Sequence, residues 1–368
     1  MKVAVKLDLA QGGPQIDEQG RLVTDSAGTT LAARLLRLYP DAVLVGPAPR
    51  SGPGIQVVRL TDLAPAETLL VNMDPLDSVA CFQVLHRHRD EPRIMNFAWT
   101  NPSSYHHPIN FAALGLSFAA FPTFCNSERT AGEVHEVLQH WAVPHLAASA
   151  RIDWANLGVR LERVRSRTEP EVPVVLYPAI TLEDRKQPAV FMDVVRRVAK
   201  RVPLRAEARL QERHLTSTVA MDMTRDKWMW VGPLTSREGY WEALSRTTAF
   251  LATATQESYG LEYVEAMIEG VIGILPDVGW ARALVPASYP YLYDSPAVAE
   301  EMLAQALTQP QECRRALDAC AGGSFADWLR ARHDDDDFER AFTTRVRQWF
   351  GAEAATTEPI VEHRHRLA

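Results

Sequence analysis

Short β-like runs and amphipathic helical stretches alternate along this chain, and the alternation runs twice. In the first series, strands read at 3–9, 42–45, 56–60, 68–72, 93–98 and 119–125. Helices read at 29–38, 78–88 and 129–141, the last with Val134, Val137, Leu138 and Trp141 on one side. In the second series, strands read at 172–177, 227–231, 249–252 and 273–275, with helices at 189–200, 238–245 and 261–269. Strands that alternate with helices pair in parallel, and a parallel sheet needs helices on both faces. Between the series lies RSRTEPEVP (165–173), polar and proline-bounded, where a domain boundary belongs. The sequence therefore predicts an α/β protein of two Rossmann-like, doubly wound domains facing a central cleft. They are 1–168 and 169–335, and 336–368 supplies a C-terminal helix (338–350) packing back toward the first domain, plus a flexible tail. A chain of 368 residues is long enough for two such cores.

Charge and cysteine usage narrow the function classes. The net charge is −7, and an acidic chain does not advertise a nucleic-acid partner, which needs clustered Lys and Arg. The start, MKVAVKLDLA, reads as a first strand rather than a signal peptide. No stretch approaches the roughly 18 apolar residues of a membrane span. Cys81, Cys125, Cys313 and Cys320 have no metal-ligand spacing and read as free thiols in a reducing compartment, which places the protein in the cytoplasm. HDDDD (333–337) reads as acidic residues opening a helix rather than as a metal site, and HRHR (363–366) as a solvated tail.

The chemistry concentrates in ATATQESYGLEYVEAMIEGVIGILPD (252–277). A strand ends near Ala252, a short loop holds Glu257, a helix opens around Gly260 and carries Glu265, and Gly270 closes it. Both carboxylates are expected at the carboxyl end of the sheet, where open α/β folds bind ligands. The amides of Ser258, Tyr259, Gly260 and Leu261 open the helix, and such amides favour an anion. Gly260 lets the backbone approach closely.

This run resembles the glutamate-x7-glutamate region of family-4 retaining glycosyltransferases. Glu257, Tyr259, Gly260, Leu261, Glu265, Ala266 and Met267 match its pattern, with WVGP (230–233) and YWEALSRTTAF (240–250) upstream. The resemblance implies the GT-B fold, a UDP- or GDP-linked sugar donor as co-substrate, no resident cofactor and no metal. It implies that Glu257 contacts hydroxyls of a transferred hexose-type sugar and Glu265 the nucleotide ribose. YPAITLEDRKQPAVFMD (177–193) is similar to the start of the family's C-terminal domain, which makes Arg185 and Lys186 the candidates to hold the diphosphate. The family's Gly-Arg-Leu is Tyr177-Pro178-Ala179 here, so its arginine is absent. QGGP (11–14) resembles the family's Gly-Gly loop, with Gly12 and Gly13 as donor contacts; CNSERTAGEV (125–134) and NLGVRLERV (156–164) resemble later segments, and His106 and His107 are candidate sugar or acceptor contacts. The acceptor is unassigned. A sugar-nucleotide epimerase or hydrolase on the same fold, or a non-catalytic sugar-nucleotide-binding relative, stays open from sequence alone.

Overall fold

A computed structural model describes residues 1–7, 14–18, 20–23, 27–52, 54–86 and 91–351. Gly12 and Gly13 lie outside the described residues, as does the tail from 352. The chain divides into two units, Met1–Asn156 with the residues from Asp336, and Leu157–Asp335.

The first unit is built on an eight-stranded sheet. Its strands are β1 (Lys2–Lys6), β2 (Val43–Val45), β3 (Arg50–Gly52), β4 (Ile55–Val58), β5 (Thr68–Asn72), β6 (Arg93–Ala98), β7 (Thr123–Cys125) and β8 (Ile152–Trp154). Their order is β3-β4-β2-β1-β5-β6-β7-β8, all parallel except β3 on β4. Every residue of β5 is buried, as expected of a central parallel strand covered on both faces. The strand expected at 119–125 begins only at Thr123, because a helix, Pro108–Ala120, runs up to it. That helix, PINFAALGLSFAA, carries no charged residue, so its polar face is not readable as a periodicity. The last helix, Asp335–Phe350, belongs largely to this unit. Its Phe338 and Phe342 pack edge-on or tilted against Phe97 and Phe124 at centroid distances of 5.2–6.0 Å, and Glu339 binds Arg34 at 3.0 Å.

The second unit holds six parallel strands: β9 (Val174–Tyr177), β10 (Arg205–Leu210), β11 (Met229–Pro233), β12 (Ala249–Leu251), β13 (Ile272–Pro276) and β14 (Leu292–Tyr293). Their order is β11-β10-β9-β12-β13-β14. The chain winds one way from β9 and the other way from β12, so the switch point lies between these two neighbours. No strand is expected at 205–210 from the sequence. RAEARL mixes charges into a partly covered strand, and its burial alternates. The sequence draws the domain line at 168/169, whereas contacts draw it at 156/157. The segment between is polar yet bonded to the second unit: Val159 N to His333 O at 2.8 Å, Arg165 N to the Glu269 carboxylate at 3.0 Å, and Thr168 N to Ser245 O at 3.0 Å. All four cysteines are free. No helix among the described residues is long and apolar enough to cross a membrane.

Candidate active site at the switch point of the second sheet

Two loops meet because the strands before them are neighbours. The loop after β9 ends in a single 3-10 turn, Asp184–Lys186. Gln187 then takes φ +49°, the one non-glycine with positive φ among the described residues, and turns the chain into helix Pro188–Ala199. Hydrogen bonds to its carbonyls tie this turn to the loop after β12: Thr255 N donates to Arg185 O at 2.8 Å, and the Thr253 hydroxyl Oγ1 to Lys186 O at 2.7 Å. Arg185 and Lys186 thereby face Glu257, 71 or more positions away in sequence.

The resulting cluster is dense in charge. Lys186 is buried and its Nζ donates to Glu257 and, at 2.9 Å, to Glu262. Tyr263 OH donates to Glu257 Oε1 at 2.6 Å, and Arg185 Nη1 reaches Glu257 Oε2 at 3.5 Å while its Nε binds Glu183 at 2.8 Å. Tyr263 is held in place by Trp280, stacked at 4.9 Å, whose Nε1 donates to Ala254 O at 3.2 Å. Three carboxylates thus surround two cations. Burial works against the Lys186 ammonium, but Glu262 and Glu257 outweigh it and hold it above the usual lysine value. Burial, with Glu262 adding to it, pushes the Glu257 carboxyl up against the pull of Lys186.

Helix Leu261–Ile268 starts beside this cluster. Gly260 caps it at φ +90°, where an added Cβ would stand 2.6 Å from the Tyr263 ring, so the position admits little but glycine. The first amides of the helix have no intrahelical acceptor. One turn in, buried Glu265 is bound by Arg237 and Tyr240; burial pushes its carboxyl above the usual range, and Arg237 pulls against that. Arg237 and Tyr240 come from the helix Arg237–Ser245 that follows β11.

The structure brings Arg185, Lys186 and Glu257 together, and sets Ser258, Gly260, Leu261 and Glu265 on the same loop and helix. The Tyr259 side chain is buried and bonded to His333 Nδ1, and burial drops that imidazole to about 4. His106 and His107 are exposed and belong to the first unit, ahead of helix Pro108–Ala120. Glu262, Tyr263, Arg237 and Tyr240 were not singled out by sequence. The readable signal for Glu262 is its place three residues before Glu265, on the first turn of the same helix.

No family model matches this sequence, and no curated protein matches it. Solved structures do. Sucrose-phosphate synthase from Thermosynechococcus elongatus is similar with a TM-score of 0.70 at 12% identity, over 96% of this chain and 100% of that one. The fold is GT-B. Anabaena HepE in complex with UDP-glucose is similar with a TM-score of 0.65 at 15% identity, over 95% and 100% of the two chains. So is α,α-trehalose 6-phosphate synthase from Burkholderia multivorans, with a TM-score of 0.64 at 11% identity, over 96% and 97%. At these identities the likeness is one of fold. The resemblance to family 4 in particular rests on the motif residues of the GT-B chain itself.

Proposed function

We propose that the protein is a cytoplasmic glycosyltransferase that moves a hexose-type sugar from a UDP- or GDP-sugar to an acceptor with retention of configuration and without a divalent metal. One observation carries this reading: Arg185, Lys186 and Glu257 converge at the switch point of the second sheet, beside the start of helix Leu261–Ile268. Ligands of open α/β sheets bind at that place. Lys186, Arg185 and the first amides of the helix supply charge for a departing diphosphate, and stabilising developing charge is usually the largest catalytic contribution. In the reaction, the acceptor oxygen bonds to the anomeric carbon as the bond to the diphosphate breaks on the same face, and the leaving phosphate oxygen takes the acceptor's proton. Glu257 accepts from hydroxyls of the sugar, and Glu265 from the ribose. That HepE, on the same fold, is in complex with UDP-glucose puts UDP-glucose first among donors to try.

A thermal-shift screen against UDP, GDP and their sugars tests the reading, since a ligand that binds only the folded state raises its stability. UDP or GDP is expected to raise the unfolding temperature of wild type. Glu265→Ala is expected to lose most of that gain, and Glu257→Ala to keep it while losing turnover. Equal nucleotide binding by wild type and Glu265→Ala would overturn the ribose role, and a product of inverted configuration would overturn the mechanism.

A further inference from the structure

Among the described residues, Glu262 is the one carboxylate contacting Lys186 that the proposed reaction does not use. It stands on the first turn of helix Leu261–Ile268, and its Oε1 accepts from Lys186 Nζ at 2.9 Å. A diphosphate would seek the same two features, the ammonium and the opening amides of that turn. The Glu262 carboxylate already on Lys186 competes with it for the ammonium.

The two carboxylates on Lys186 are not equivalent. The Glu257 side chain is 6% exposed and accepts from Lys186, Tyr263 and Arg185. The Glu262 side chain is 32% exposed, and Lys186 is its side-chain partner. An ion pair with one end near water exchanges at little cost. The buried ammonium, by contrast, is costly to leave without counter-charge. Glu262 is therefore built to move and Lys186 is not.

We propose that Glu262 is a displaceable counter-ion. It holds the Lys186 charge before a nucleotide binds, swings toward solvent as a nucleoside diphosphate arrives, and returns as the product leaves, so that it weakens the enzyme's grip on that product. The inference rests on the donor-site reading above, and its test separates the two. UDP and GDP are titrated calorimetrically into wild type, Glu262→Gln and Glu262→Asp. Glutamine keeps a hydrogen bond to Lys186 but removes the charge, so Glu262→Gln is expected to bind UDP about tenfold more tightly, the effect of one partly screened charge. Inhibition of turnover by added UDP should sharpen by a similar factor. Glu262→Asp is expected to return both values toward wild type, a rescue that a purely structural role does not give. Unchanged or weaker affinity in Glu262→Gln, with UDP still bound by wild type, overturns the counter-ion role alone. Absence of UDP and GDP binding at millimolar concentration in both proteins overturns the donor reading and this inference with it.

Discussion

Lys186 is buried between two carboxylates, so its removal acts in two ways. In the proposed reaction Lys186→Ala is expected to lower kcat/KM by about 2–4 kcal/mol of transition-state stabilisation, by analogy with losing one preorganised donor. It also strands the buried Glu257, so denaturant unfolding should show a loss of stability alongside; full activity in a folded Lys186→Ala protein would remove it from the site. A second titrating side chain gives a test independent of function. Glu269 is buried, accepts from Arg165 N, and burial raises its carboxyl to about 7. Its folded value lies above the unfolded one, so its contribution is present below about pH 4.5 and is lost as pH rises through 7. Glu269→Gln, which can still accept from Arg165, should therefore gain on wild type across that window, by at most about 3 kcal/mol and by less to the extent that water screens the carboxylate. Unfolding curves at pH 4.5, 6 and 8 measure the difference, and a constant gap between the two proteins would show that Glu269 does not titrate there.

Among the elements, those around the candidate site follow the sequence closely. Expected helices at 238–245 and 261–269 appear as Arg237–Ser245 and Leu261–Ile268, and Gly270 takes φ +83° just past the second, as its C-cap position predicts. Elements without a clean period were the ones missed or misdrawn. Strand β10 hides its alternation behind Arg and Glu, and helix Pro108–Ala120 hides its own behind an uncharged face. The last helix makes an element-scale prediction. Phe342 is fully buried against Phe97 and Phe124 although some 220–245 positions separate them. Phe342→Ala should cost about 3–5 kcal/mol in denaturant unfolding, the usual price of an aromatic removed from a core. A loss under about 1 kcal/mol would mean that the helix is not part of that core.

For the whole molecule, the proposed reaction is expected to survive EDTA, measured as release of nucleoside diphosphate. A departing diphosphate needs its charge neutralised by metal or by protein. In the proposed reaction that charge falls to Lys186, Arg185 and the opening amides of helix Leu261–Ile268. The acidic run Asp334–Asp336 sits elsewhere in the chain, at the start of the last helix, with Asp335 bound by Arg160 at 3.3 Å. Activity abolished by EDTA and restored by manganese would refute this and redirect attention to those aspartates. The sequence alone determined the α/β class, the two series of strands and the loop-and-helix setting of Glu257 and Glu265, because these follow from local period, glycine placement and residues close in the chain. Only the tertiary structure decided what each charge meets. Lys186 finds Glu257 because β9 and β12 lie side by side in the sheet, and Arg237 finds Glu265 because a helix crosses over from β11. Strand order is set by long-range packing, and no local pattern encodes which two loops it will bring together.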